Sequence, residues 1–343
     1  MFMNKLSSEE RVIRTLQGRD VDRVPTFEWA IDQKVIQAMT PGLDLEEFCY
    51  EMGLDAICVD CDYESERIEG GLIRDEWGMI KQYSQQSHSY PVDGPIRTMK
   101  DLENYVPPDP KKPDRYRSVE KALENHAGKK AVILHLNDVF SIPSRLMPFD
   151  HFMMLLMDEP ETVKALVDIS VHTNLAMAEE AVKRGIRIVF TGDDYAYNSG
   201  PMISPAQFRE IFYPGLKAVM GGYKDLGLLT IKHTDGNIMP LIDMIIDSDI
   251  DCLDPIDPLA GMDLKLIKKT YGGIIAVKGN VDCAHTLTFK TVEETVEETK
   301  QCLEIGMEGG RYIISSSNTI HSEVKPENYR AMIETIKALG VYM

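Results

Sequence analysis

The stretch Thr230-Ile-Lys-His-Thr-Asp-Gly-Asn237 closes an apolar run, residues 226–231, with a histidine and a carboxylate. Apolar residues giving way at once to His233, Asp235 and Gly236 describe a buried strand that hands polar side chains to the loop after it. That is where α/β proteins place their chemistry. Two more runs end the same way, Ile188-Val-Phe-Thr-Gly-Asp-Asp194 and Tyr312-Ile-Ile-Ser-Ser-Ser-Asn318. Three strands ending in polar clusters point to one shared site.

Outward from these runs the chain alternates. Strand-like segments fall at residues 24–29, 56–59, 131–136, 187–191, 228–231, 250–253, 273–277 and 311–314. Helical patterns fall at 45–52, 161–183, 205–224, 240–247, 264–270, 292–305 and 326–339. Strands alternating with helices predict a parallel sheet covered on both faces. Helix starts are marked by Ser204-Pro-Ala-Gln207, Thr291-Val-Glu-Glu294 and Ser7-Ser-Glu-Glu10. With no linker rich in Gly or Ser, residues 1–343 read as one domain, an α/β fold of the single (β/α)8 TIM-type barrel kind.

Two segments break the alternation. Residues 64–84 carry Gly70-Gly71 between short alternating flanks and predict a hairpin inserted after strand 2. Such an insertion lies on the face where barrel enzymes keep their active sites, so it is either a lid or partner surface or a flap that shields the barrel. Residues 90–116, with Pro91, Pro95, Pro107, Pro108, Pro110 and Pro113, are expected to run extended over the surface.

Composition excludes several functions. A chain of 343 residues, 43% hydrophobic, holds enough apolar material for a large core. Its net charge of −18 argues against nucleic acid or an anionic membrane as partner, since both are bound through clustered Lys and Arg, and reads as solubility. No apolar run approaches the roughly 20 residues that span a bilayer, and the start lacks a signal-peptide core, so the expected location is cytoplasmic. The six cysteines are too scattered for a disulfide scaffold; Cys58-Val-Asp-Cys61 has no second pair and reads as packing. Met153, Met154 and Met157 lie at helical spacing beside Leu155 and Leu156 and also read as core.

Four segments resemble the uroporphyrinogen decarboxylase superfamily: Glu10-Arg-Val-Ile-Arg-Thr-Leu-Gln-Gly-Arg-Asp-Val-Asp-Arg-Val-Pro25, Gly192-Asp-Asp-Tyr-Ala-Tyr-Asn-Ser-Gly-Pro-Met-Ile-Ser-Pro205, Lys278-Gly-Asn-Val-Asp282 and Val324-Lys-Pro-Glu-Asn-Tyr-Arg-Ala-Met332. The resemblance covers nearly the whole chain and implies a (β/α)8 barrel. The decarboxylase proper grips its polycarboxylate tetrapyrrole with an arginine-rich first-strand motif. Here that place holds Phe27-Glu-Trp-Ala-Ile-Asp-Gln33, with carboxylates where guanidiniums belong, and a polyanion would be repelled.

The other large branch is similar to cobamide-dependent methyltransferases. Members that methylate coenzyme M bind zinc through His-x-Cys and a later Cys. In this chain His233 matches the histidine, Asp235 stands in place of the first cysteine, and Asn318 falls near the second. Oxygen donors leave zinc a stronger Lewis acid than thiolates do, which suits an ether oxygen better than a thiol. The resemblance thus implies an O-demethylase component. Such an enzyme passes a methyl group from a methoxylated, aromatic substrate to the cob(I)amide of a separate corrinoid protein, with zinc assisting.

The expected metal ligands are His233, Asp235 and Glu28; the expected catalytic groups are Glu28, Asp193, Asp194, His233 and Asp235. Glu28 and Asp32 follow the first strand, and adjacent Asp193 and Asp194 suggest a cation or a shared proton. Each has a bland reading too: His233 as a histidine that only orients substrate, Asp235 as a cap, Glu28 as an ion-pair partner. Expected substrate contacts are His135, Asp138, Tyr195, Tyr197, Asn280 and Asn318, with weaker claims for Asp60, Asp62, Asp282, His285 and His321. Two other readings stand beside the methyltransferase. One is a metal-independent decarboxylase or lyase using the same carboxylates as acids and bases; the other is a non-catalytic tetrapyrrole- or corrinoid-binding protein.

Overall fold

The structure, a computed structural model, describes residues 5–82 and 90–342. Its strands run β1 (Ala56–Asp60), β2 (Ser65–Arg67), β3 (Leu72–Asp75), β4 (Ile80–Gln82), β5 (Tyr90–Asp93), β6 (Ala131–Leu136) and β7 (Ile188–Gly192). There follow β8 (Ala196–Tyr197), β9 (Gly200–Pro201), β10 (Leu229–His233), β11 (Cys252–Asp254), β12 (Ala276–Val281) and β13 (Tyr312–Ser316). One sheet holds seven of them in the order β1-β6-β7-β10-β11-β12-β13, and every neighbouring pair is parallel. All strands of a parallel sheet point one way, so their C-terminal ends, where the sequence turns polar, share one edge.

Seven of the eight anticipated strands form, several displaced by a few residues toward the C-terminus. The first, residues 24–29, does not form a strand; Thr26 makes only an isolated parallel bridge to Ile314. Pro25 has no N–H to give, and the Thr26 N–H donates to the Asp55 side chain at 2.9 Å instead of to a strand. Two carbonyls still reach both edges of the sheet: Pro25 O accepts from Ile314 N at 3.0 Å and Thr26 O from Asp55 N at 2.6 Å.

The sheet has two apolar faces. One packs against the long helices, among them Pro160–Arg184, Val292–Met307 and Pro326–Leu339. Facing the other way, Ala56, Ile133, Phe190, Ile231, Cys252, Ala276 and Ile313 form a separate cluster. Helix Ser8–Leu16, capped by Ser7 as the sequence predicts, inserts Val12, Ile13 and Leu16 into that cluster beside strand-opening residues such as Ala56, Ala131 and Ile188. It therefore plugs the N-terminal ends of the strands and leaves the C-terminal ends free. Arg11 and Arg23 brace the plug by pairing with buried Asp55 at 2.7 and 2.8 Å.

The insertion after β1 is larger than a hairpin. Strands β2 to β5 form a four-stranded antiparallel meander; residues 83 and 84 of the anticipated hairpin lie outside the described residues. Nor is the proline-rich segment simply extended. It contains β5, a capped helix Met99–Glu103 and a short turn of helix Pro113–Tyr116. Arg115 is fully buried there and holds Glu76 of the insertion at 2.8 Å. Of the three methionines expected in the core, only Met153 packs against it. Helix Phe149–Asp158 buries only Phe152 and Leu156, one stripe at i and i+4, so Met154 and Met157 face solvent. Among the described residues no helix is long and apolar enough to cross a membrane.

Candidate active site

The polar strand ends meet in a cleft of about 550 Å3. His233 closes β10, and the register sets it beside Asp254, the last residue of β11, on one flank and Gly192 of β7 on the other. Its Nδ1 lies 2.7 Å from Asp254 Oδ2. An ionised Asp254 can only accept, so Nδ1 carries the proton and Nε2 is turned toward the cleft. The other oxygen of Asp254 accepts from the buried Lys278 ammonium at 2.7 Å. Burial pushes the Asp254 carboxyl up, but Lys278 and His233 more than offset it and hold the group below the usual carboxylate range.

Nε2 of His233 faces two more carboxylates, Asp194 Oδ1 at 3.6 Å and Asp235 Oδ1 at 3.7 Å. One ligand atom from each of the three residues falls within 4.8 Å of the others. Asp235 Oδ1 is buried without a hydrogen-bond partner, while Oδ2 accepts from Asn318 Nδ2 at 2.5 Å. Asp194 Oδ1 in turn accepts from the Asp235 N–H at 3.0 Å. Burial would lower the His233 pKa; Asp235 and Asp254 overcome that and raise it to about 10. The pocket therefore attracts positive charge. One imidazole nitrogen, two carboxylates, an orphan oxygen and a carboxylate behind the histidine fit a divalent cation with positions open for substrate.

Gly236 holds this loop in shape with a φ of +87°. A Cβ there would sit 2.7 Å from the backbone of Ala196, which opens the short β8–β9 ribbon. Gly236→Ala is expected to destabilise the fold by about 1–3 kcal/mol and to loosen Asp235. Chemical denaturation alongside metal titration checks both effects; an unchanged midpoint and affinity would show that the loop yields freely.

The anticipated site residues separate into three groups. His233, Asp235, Asp194 and Asn318 converge on the cleft. Glu28 stands outside the three-residue group. It lies in a small neighbouring void, accepting from Ser316 N at 3.0 Å and Ser316 Oγ at 2.6 Å, and burial raises its pKa to about 7 against the pull of Lys278. The others do not line the cleft. Asp138, Asp193 and Tyr195 join Lys232 in a fully buried cluster. His135 pairs with Asp60 at 2.7 Å, Asn280 Oδ1 accepts from the Cys302 thiol at 3.4 Å, and Tyr197 is exposed on β8.

Among the weaker candidates, Asp32 caps helix Gln33–Met39, Asp62 holds Ser118, and Asp282 holds His285; His321 does reach the cleft wall. All six cysteines are free, and burial pushes the Cys61 and Cys283 thiols up to about 12.

Sequence reasoning missed Trp29, Asp254 and Lys278. Trp29 forms an aromatic wall of the cleft, with ring centroids 5.0 Å from His135, 5.3 Å from Phe190 and 5.4 Å from His233. Its signal was a tryptophan next to Glu28 at a polar strand end. Asp254 is the residue immediately after the anticipated strand 250–253, and Lys278 opens a segment in which Asn280 and Asp282 drew attention.

A parallel sheet closed at one end by a helix, with an acidic, histidine-centred pocket at the other, defines an α/β enzyme scaffold. Residues 78–339 match the family model described as Uroporphyrinogen decarboxylase (URO-D), and the chain belongs to that family. In fold it is similar to a methyltransferase from Methanosarcina mazei, with a TM-score of 0.76, 18% identity, and coverage of 97% of this chain and 99% of that one. A weaker likeness is to a sugar phosphate isomerase/epimerase from Parabacteroides distasonis, TM-score 0.45, 9% identity, covering 94% and 97% of the two chains. No curated protein matches significantly by sequence.

Proposed function

We propose that this chain is a methyltransferase that takes a methyl group from a methoxylated, aromatic substrate and delivers it to the cob(I)amide of a separate corrinoid protein, assisted by zinc. The observation that carries the reading is the Asp194–His233–Asp235 cluster with Asp254 behind the histidine. Membership of the URO-D family supports it, as does the methyltransferase fold likeness. So does the cleft's charge: Asp194, Asp235 and Asp257 face Arg145 alone among Arg and Lys, an arrangement that repels a polycarboxylate tetrapyrrole. Residues 25–28, bonded to β13 and hydrogen-bonded to Asp55 just ahead of β1, serve in this reading as the eighth stave of a closed (β/α)8 barrel.

In the transfer, the methyl carbon would pass from an ether oxygen to the cob(I)amide of the corrinoid protein, whose electron pair would make the new bond as the C–O bond breaks with its own pair on oxygen and a phenolate departs. Phenolate is a poor leaving group unless its charge is stabilised. His233, Asp194 and Asp235 would hold the zinc, which would supply Lewis acidity at that oxygen. Asp254 fixes the tautomer that presents Nε2, Asn318 orients Asp235, and Trp29 offers a flat surface to the aromatic ring. Glu28, titrating near neutrality beneath the cleft, suits a proton donor to the phenolate and is also what favours a metal-independent decarboxylase or lyase.

Two measurements separate these readings. His233→Ala is expected to abolish stoichiometric zinc binding; full occupancy in the variant would remove the ligand assignment. Mixing the purified chain with a cob(I)amide-loaded corrinoid protein and methoxylated aromatics should produce the methylcobamide spectrum. Turnover of a carboxylated substrate that survives chelation, with no methyl transfer, would favour the lyase.

A further inference from the structure

Arg145 ends the short helix Ser141–Arg145 and borders two cavities at once. One is the site cleft. The other, about 300 Å3, is walled by the four-stranded insertion through residues such as Tyr63, Ile73 and Trp77. The acids of both are already engaged. In the second cavity Asp75 meets Lys81 at 2.6 Å and Glu64 meets Lys112 at 2.5 Å. In the cleft Asp194 and Asp235 face His233, and Asp257 accepts from the Leu259 and Gly236 N–H groups at 2.9 and 3.3 Å.

Arg145 is exposed, and its guanidinium makes no hydrogen bond or ion pair to any described residue. The two cavities are lined by five carboxylates, Glu64, Asp75, Asp194, Asp235 and Asp257, and Arg145 pairs with none of them. Arg67 and Arg209 are also without a side-chain partner, but neither borders either cavity. A free guanidinium fork matches the two oxygens of a carboxylate in a charge-assisted, bidentate pair. Trp29 shares the cleft wall with Arg145, so the cleft offers a stacking surface, a metal-type cluster and one anion receptor.

We propose that Arg145 is the specificity residue of the cleft and that the substrate is an aromatic carboxylate, its acid group received by Arg145 while its ether oxygen lies toward Asp194, His233 and Asp235. The placement of the ether rests on the methyltransferase reading; the carboxylate contact does not. The same residue ties the insertion to the cleft, because the cavity the insertion walls shares Arg145 with it.

Calorimetric binding of methoxybenzoates and of the neutral, isosteric methoxybenzamides to the full chain tests this. Wild type should prefer the acid by roughly threefold to fivefold, as an exposed charge-assisted pair implies. Arg145→Ala should abolish the preference without weakening the amide, and Arg145→Lys should restore part of it. The arginine has no internal partner to lose, so the variants should keep the wild-type melting temperature. Equal binding of acid and amide by wild type would overturn the proposal. So would a preference that survives Arg145→Ala, and its disappearance on chelation would then place the carboxylate on the metal. Acid binding lost in Arg145→Ala with no methyl transfer in wild type would sink the methyltransferase reading and leave the arginine assignment standing.

Discussion

Asp254→Asn is expected to lower affinity for the proposed zinc by roughly 10–100-fold and to reduce the unfolding free energy by about 3–5 kcal/mol. Both effects follow from one carboxylate that serves two neighbours. Asp254 is almost fully buried; one oxygen holds the His233 Nδ1–H at 2.7 Å and the other the Lys278 ammonium at 2.7 Å. Asparagine preserves the shape but carries one acceptor and one donor group, so either the imidazole or the ammonium meets an N–H where it needs an oxygen. Lys278 would then sit buried with Glu28 as its nearby carboxylate. The Glu28 carboxyl, now at about 7, should fall toward the ordinary range as Lys278 turns to it. Competition with a chromogenic chelator gives the affinity and urea unfolding the stability. Wild-type zinc affinity in a folded Asp254→Asn would remove Asp254 from the site.

Part of this site could be read in the sequence because a parallel sheet aligns its strand ends. Any strand whose apolar run stops in polar residues sends them to the same edge, so His233, Asp235, Asp194 and Asn318 were found without knowing which strand lies beside which. Asp254 needed that knowledge. It matters because β10 and β11 are neighbours with His233 and Asp254 in register, and register is a property of the pairing. Adjacent Asp193 and Asp194 show the same limit: successive residues at a strand end point opposite ways, so one reaches the cleft and the other the interior. The missing first strand follows from Pro25, whose lost N–H an apolar pattern does not register.

Lys232→Met is the second substitution expected to have a large effect, again about 3–5 kcal/mol of unfolding free energy, because it leaves buried carboxyls without their cation. Lys232, Asp138 and Asp193 are each fully buried. Lys232 Nζ lies 2.8 Å from Asp138 Oδ2 and 2.8 Å from the Asp193 carbonyl, and its charge also rests 4.1 Å from the Tyr195 ring centroid. Burial and the neighbouring Asp193 raise the Asp138 pKa to about 7 although Lys232 pulls the other way. Asp193 is held low despite its burial by the hydrogen bond shared with Asp138, by Lys232 and by the Ser141 and Phe140 N–H groups.

The sign of the pH effect follows from Asp138. Its folded pKa lies above the unfolded value of 3.8, so the folded chain binds its proton more tightly. The associated stability is intact below about pH 4 and is lost as pH rises through about 7. Without Lys232 that folded pKa moves higher, and the loss on ionisation deepens. The stability deficit of Lys232→Met should therefore be larger at pH 8 than at pH 5, and Asp138→Asn in the same chain should recover much of it by removing the second charge. Urea unfolding of the single and double variants at both pH values decides the matter. An equal deficit at pH 5 and pH 8, with no recovery in the double variant, would mean that Lys232 contributes packing through its stem and not charge.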